Sequence, residues 1–416
     1  MATKDFFNKI KHHTRLALLG LFLLISVGSI AAFYLFIKTH QLAAANFADD
    51  FLRPHIGTQA TLDLEAFFFK LEDIANRAKY TFVKPPEQKF TFTAFKFSYS
   101  KLNNQLAPTP IPKLTNLPAL SGEGVWTLIN TGSGAAMMER TFVRPDPERD
   151  YALVSLVKMD MSKLTLGITA GTYEPGERAM PGKGYIPKNI QASNLLIAAF
   201  NGGFKRTDGE YGMIVGKDVY LPLKKNLATL VIYNDKKPQI VRFRGQNLGQ
   251  DVVAIRQNGP MLLENGHDTT GSPAWNMQTW GLTTTNSMYT WRSGLGITKD
   301  GNIVYAAGSS LVPSTLARAL HAAGAVNAMQ LDINSAWVRF VLFEPKGNGT
   351  YTYLPLQKDL INGGYQYLHG YQKDFFYVYK NSSSNSQVST LENPQPVKIS
   401  YLHLPTPIPL IPSVTR

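Results

Sequence analysis

The stretch "LLIAAFNGGFKRTDG", residues 195–209, runs apolar from Leu195 to Phe200 and then stops at Asn201-Gly202-Gly203. A short apolar run closed by turn residues reads as a buried strand. A tight turn needs only one glycine. A second glycine lets the backbone approach another group closely, because neither residue carries a Cβ. Two readings stay open: the glycines make room for a ligand, or they form a glycine bulge before a hairpin.

The same texture continues on both sides. From about 120 to 380 the chain alternates short apolar runs with turn residues. "YALVSLVKMD" (151–160), "ATLVIYN" (228–234), "QIVRF" (239–243) and "GNIVYAAG" (301–308) read as strands, with hairpin turns at "NDKK" (234–237) and "KDGN" (299–302). "PSTLARALHAAG" (313–324) reads as a helix, opened by Pro313, closed by Gly324, and facing Leu316, Leu320 and Ala323 to a core. Placed between runs at 303–308 and 326–331, it predicts a β-α-β unit with parallel strands. The second of these strands ends at Asp332, as the opening strand ends at Asn201, and strand ends are where such folds place ligands. The expected class is α/β or α+β, a mixed β-sheet domain with flanking helices over residues 120–380.

The N-terminal part has another character. Residues 16–37, "LALLGLFLLISVGSIAAFYLFI", carry no charge and as a helix would span roughly 33 Å. Lys4, Lys9, Lys11 and Arg15 precede them, so residues 1–15 are expected in the cytoplasm and 38–416 across the membrane. The run is too long for the core of a cleaved signal peptide, and a transmembrane signal-anchor is the expectation. Residues 38–84 read as a helical stalk, with Leu64, Phe67, Phe68, Leu71, Ile74 and Ala75 on one stripe. Residues 85–119 are proline-rich, a linker or covering segment, and 381–416 form a Pro/Ser-rich tail expected to be mobile.

Lysine and arginine number 42 against 29 acids, a formal charge of +13, which suits an anionic partner as well as a solvated basic surface. The absence of cysteine excludes disulfides, thiolate catalysis and cysteine-zinc sites. No nucleic-acid module, phosphate-binding loop, dinucleotide signature or helical HExxH is present, and nucleic acid is not an expected partner.

Four segments together carry a family likeness. "AAFNGGF" (198–204), "RQNGPMLLENG" (256–266), "WRSGLGITKDGNIVY" (291–305) and "LARALHAAGAVNAMQLD" (316–332) resemble, in order, the segments of the phosphodiester glycosidase domain, the family of the lysosomal uncovering enzyme. The likeness covers about residues 120–380. It departs in one place: the family commonly continues its Asp as Asp-Gly-Gly-Gly-Ser, whereas here Asp332-Ile333-Asn334-Ser335-Ala336 follows. Three glycines would offer backbone N–H groups to an anion, and these side chains cannot all copy that.

The resemblance implies hydrolysis of the bond between a sugar's anomeric carbon and a phosphate oxygen. Phosphate leaves as a stable anion, so the site must neutralise it and stabilise an oxocarbenium-like sugar. Asp332 is the candidate catalytic carboxylate, against a turn or capping role. Arg292 and Arg256 are candidates for the phosphate, since a guanidinium meets two oxygens at once. Asn201, Gly202, Gly203, Asn258 and Asn334 complete the candidate substrate-binding set. Trp275, Trp280 and Trp291 read as a sugar-stacking platform or as core. "ENGHD" (264–268) reads as a hairpin tip rather than an acid or metal site. His321 reads as a partly buried helix residue. Asp332 and Asn334 offer oxygens to calcium, but two ligands fall short of six to eight, and no metal is expected to be required. The expected partner is a phosphate-linked glycan or glycolipid in a bacterial envelope. The alternative is a non-catalytic envelope module that binds anionic glycan on the same fold.

Overall fold

The computed structural model describes residues 40–88, 90–91, 109–129, 137–176, 181–234, 237–271 and 288–381, with scattered positions between 20 and 39. Trp275, Trp280, most of the expected membrane span and nearly all of the C-terminal tail lie outside the described residues. Among the described residues, no helix is long and apolar enough to cross a membrane.

The N-terminal segment folds as α1 (Gln41–Phe47), a π-helical turn (Ala48–Leu52), α2 (Arg53–Ile56) and α3 (Thr58–Phe82). The sheet domain begins with β1 (Thr127–Ile129), β2 (Met138–Val143), β3 (Val154–Met159), β4 (Leu164–Thr169), α4 (Lys188–Ala192) and β5 (Leu196–Asn201). It continues through β6 (Met213–Val215), β7 (Asp218–Leu221), β8 (Leu227–Tyr233), β9 (Gln239–Phe243), β10 (Val252–Asn258), β11 (Met261–Glu264) and β12 (His267–Asp268). The rest is β13 (Thr290–Thr298), β14 (Ile303–Leu311), α5 (Pro313–Ala322), β15 (Ala325–Ile333), β16 (Phe340–Gly347), β17 (Thr350–Pro355), α6 (Gly364–His369) and β18 (Phe375–Lys380).

These strands form three sheets, ordered β1-β2-β3-β14-β13-β15-β11-β12, β7-β6-β10-β8-β9 and β17-β16-β5-β18-β4. Their inner faces meet in one core. Ala198 and Phe200 of β5 point into that core and Ala199 between them packs outward; the register slips before Ala198, so Leu196 joins Ala199 against Ile190 of α4 and Tyr367 of α6. Helix α5 covers the other face of the largest sheet through Leu316 and Leu320, and the hydroxyl of Thr315 accepts the Val312 N–H at its N-terminus.

The expected β-α-β unit is present with one correction. Strands β14 and β15 run in the same direction but do not pair; β13 lies between them and pairs antiparallel with each. Hairpin β13–β14 supplies the missing partner, which "KDGN" announces but which periodicity alone does not insert between two other strands. The pairings between the named strands are antiparallel throughout. At "ENGHD" the Asn265 and Gly266 backbones take positive φ of 52° and 82°, the geometry of a two-residue hairpin. Glu264 there pairs with Arg242 and Arg244. His321 is exposed rather than partly buried.

Residues 41–82 lie against the domain instead of standing away from it. Asp73 receives Nε and an Nη of Arg149 at 2.8 and 2.7 Å, the Arg149 guanidinium lies 3.3 Å over the Tyr289 ring, and Tyr80 stacks on Tyr151. The expected stripe faces inward only in part: Leu64 and Phe68 line the space against the domain, but Phe67 and Ile74 are 49% and 55% exposed. Leu62, Glu65 and Phe69 face inward beside Leu64 and Phe68. The polar Glu65 masks this face from a hydrophobicity count. The proline-rich segment also covers: Gln88 donates to Ser155 and Gln357, and Ile111 is buried.

Candidate active site

Four strand ends converge. Register pairs Asn201, at the end of β5, with Phe375, at the start of β18. It also pairs Ile333, at the end of β15, with Arg292, near the start of β13. Ser293 bridges the two sheets, accepting from Asn201 and donating to the Asp332 carbonyl, so Phe204-Lys205, Lys373-Asp374 and Asp332-Ile333-Asn334, at or just beyond these ends, are brought to one side of the core.

Most of the polar residues expected to bind substrate hold this convergence together from inside. Asn201 is buried; its amide donates to the Gly202 carbonyl and Ser293 Oγ, and its Oδ1 accepts the Tyr305 hydroxyl and the Arg339 N–H. Asn258 donates to the carbonyls of Gln330 and Leu331 and accepts the Phe204 N–H. Arg256 pairs with Asp374 at 2.8 Å and donates to the carbonyls of Tyr211, Gln257 and Phe204. Arg292 donates to the Leu311 and Met288 carbonyls and Gln330 Oε1. Burial pushes Arg292 down to about 9, which leaves it a cation at neutral pH.

The two glycines belong to the same framework. A Cβ on Gly202 would overlap the Asp374 carboxylate, and one on Gly203 would sit 2.8 Å from an Arg256 guanidinium nitrogen. The Gly203 N–H donates to Asp374 Oδ2. The group they make room for is thus the buried Arg256–Asp374 pair, not open space beside the strand. The sequence reading that put a ligand there is corrected on this point.

What faces open space is a different set. A cavity of about 70 Å³ is lined by Asp332, Asn334, Trp337, Lys373, Lys205 and Asp208 from the domain, with Asp49, Arg53 and Glu65 from the helical segment among the rest. Of the residues expected from sequence, Asp332 and Asn334 reach it. Asp332 is ion-paired with Lys373 and accepts the Ile333 N–H. Burial raises its carboxyl to about 6, opposed by the charge and hydrogen bond of Lys373. The ammonium groups of Lys205 and Lys373 lie 4.4 and 4.8 Å from the Trp337 ring centre. Asn334 holds φ of +75°, where asparagine is tolerated, and its Oδ1 accepts the Ala336 N–H. That residue stands where the family motif has a glycine, and it retains the backbone shape a glycine would allow.

The helical segment closes this cavity with charge. Asp49 pairs with Lys205, and Arg53 pairs with Asp208 at 3.1 Å. Glu65 is pushed up to about 7, mainly by burial, with Arg53 pulling the other way. Among the described residues, no group of three or more His, Asp or Glu is placed to hold a metal. Lys373, Lys205, Trp337 and Glu65 were not singled out from sequence. "QKDFF" (372–376) did carry a signal: a charged pair set directly before an apolar strand.

The site is a buried carboxylate at a strand end beside two lysines, set in a sheet-dominated domain. Residues 194–332 match the family model described as phosphodiester glycosidase, as the four segments led us to expect. Among solved structures, the chain is similar to the catalytic domain of zebrafish N-acetylglucosamine-1-phosphodiester alpha-N-acetylglucosaminidase, auto-inhibited by pro-peptide, at 12% identity and a TM-score of 0.41, covering 62% of this chain and 88% of that one. It is also similar to a hypothetical protein from Synechocystis, at 13% identity and a TM-score of 0.32, covering 60% and 63%. No curated protein matches.

Proposed function

We propose that the chain is a phosphodiester glycosidase, hydrolysing a sugar-1-phosphodiester of an envelope glycan or glycolipid. Residues 16–37 anchor it in the membrane, with the sheet domain on the extracytoplasmic side. The observation that carries this reading is the buried Asp332 beside Lys373, across Trp337 from Lys205. The two lysines, rather than Arg256 and Arg292, meet the phosphate, because Lys205 and Lys373 line the cavity while both guanidiniums are buried away from it. With the phosphate neutralised, its bond to the anomeric carbon breaks without a proton donor, and the Asp332 carboxylate stabilises the positive sugar.

Lys205 is reached only when the Asp49 carboxylate gives way, since the two are paired. The cavity of about 70 Å³ is also small beside the ~300–1,000 Å³ usual for ligand sites. Substrate entry therefore includes a shift of the segment carrying Asp49 and Arg53. The test is turnover by the full chain on a panel of sugar-1-phosphodiesters. Sugar and phosphate monoester should appear with the wild type and be reduced at least a hundredfold in Asp332→Asn. Equal turnover in that variant would remove the carboxylate from the reaction.

A second reading, a non-catalytic module that binds anionic glycan, draws on Ile333-Asn334-Ser335, which stand where the family motif has glycines. It predicts binding of the same panel without product.

A further inference from the structure

A second and larger cavity, about 490 Å³, lies between the helical segment and the domain. It adjoins the candidate site: Ala45, Glu65, Phe69 and Asn334 line both. Its lining on α3 extends from Leu64 to Tyr80, roughly 24 Å at 1.5 Å per residue. A space of that volume drawn out along that length is a narrow trough. It suits one extended chain better than a branched glycan.

The walls suit the same occupant. Phe36, Phe47, Leu64 and Phe68 come from the helical side, and Tyr151 and Trp291 from the domain. Phe36 and Phe47 are 42% and 41% exposed, so apolar rings stand at the edge of the trough in contact with solvent. Phe36 also belongs to the uncharged run 16–37. With that run in a membrane, this edge of the trough lies close to the lipid, while the shared residues lie beside Asp332, Lys205 and Lys373. An amphiphile drawn from a bilayer meets these chemistries in the right order, hydrocarbon first and phosphate last.

We propose that the trough holds a single hydrocarbon chain carried on the substrate's phosphate, so that the aglycone of the scissile phosphodiester is a long alkyl or prenyl chain. This rests on reading the adjoining site as one for a sugar-1-phosphodiester. The chain gains stability from the apolar area it removes from water, and the trough then selects lipid-linked sugar phosphates over water-soluble ones.

The experiment uses the full chain in lipid nanodiscs and octyl phosphate bearing a photoreactive diazirine at the chain end, with labelled peptides located by mass spectrometry. Labels are expected on peptides carrying Leu64, Phe68 or Trp291. Unlabelled octyl phosphate should compete them away, and inorganic phosphate at the same concentration should not. Ala44→Trp and Leu64→Trp, which fill the trough from two helices, should each lower labelling at least tenfold; whichever variant melts like the wild type is scored. Labels confined to residues 1–35, or labels undiminished in a scored variant, would overturn the proposal. Hydrolysis of a methyl sugar-1-phosphodiester separates the two readings. Turnover without trough labelling discards the hydrocarbon chain and keeps the glycosidase. Trough labelling without turnover of any diester keeps the chain site and discards the glycosidase.

Discussion

Replacing Gly202 by alanine tests whether the double glycine serves the protein's own framework. The added methyl would overlap the Asp374 carboxylate and lie 2.6 Å from the Asp374 carbonyl oxygen. Neither neighbour is the free end of a flexible chain. The carboxylate is held by Arg256 at 2.8 Å, and both side chains are fully buried. Accommodating the methyl means moving Asp374 off Arg256 and leaving a guanidinium unpaired in the core. Breaking such a pair costs about 3–5 kcal/mol. At about 2–4 °C per kcal/mol for a domain of this size, the melting temperature should drop by roughly 6–20 °C. Urea unfolding of Gly202→Ala, Asp374→Asn and the double variant gives the coupling. With the pair already broken, the second change should cost at least 1 kcal/mol less than it does alone. A loss below about 1 kcal/mol in Gly202→Ala, or strict additivity in the cycle, would refute the reasoning and return the glycines to a ligand.

Three further outcomes follow from the same geometry. Asp332, raised to about 6 by burial, holds its proton more tightly in the folded chain than in the unfolded one. Its contribution to stability is then complete below the unfolded value near 4 and is lost as pH rises through 6, up to about 3 kcal/mol that Asp332→Asn should not lose. Turnover, which needs the carboxylate, should rise through the same pH range, and a profile flat between pH 5 and 7 would contradict this role. Tyr305→Phe removes the hydroxyl bonded to Asn201 Oδ1 and the Arg339 carbonyl, and urea unfolding should show a loss of about 1–3 kcal/mol. Asp73→Ala removes the carboxylate that holds Arg149, so hydrogen exchange should quicken across residues 58–82 while β5 and β10 stay protected.

The fold was legible wherever one physical signal acted alone. Helix α5 stands between Pro313 and Gly324, and hairpins β11–β12 and β13–β14 stand on turn residues at positive φ, Asn265-Gly266 and Gly301. The insertion of β13 between β14 and β15 was not legible, because apolar runs record burial and not the identity of the neighbouring strand. The site was half legible. Asp332 at a strand end reaches the cavity, as does Asn334. Asn201, Asn258, Arg256 and Arg292 looked like ligand-binding residues because polar groups set among apolar strands do mark special positions. Here their partners are main-chain carbonyls and buried side chains supplied by distant segments, which no local pattern reveals. Lys205 follows one strand and Lys373 precedes another as ordinary surface charges would, and it is the fold that brings both to the Trp337 ring.

The central claim, that the scissile bond is the one at the anomeric carbon, is tested most directly by turnover in heavy-oxygen water. Attack on the sugar should leave the phosphate monoester product free of heavy oxygen, with Asp332→Asn releasing none of it above background. Heavy oxygen in the phosphate product would show cleavage at phosphorus and contradict the account.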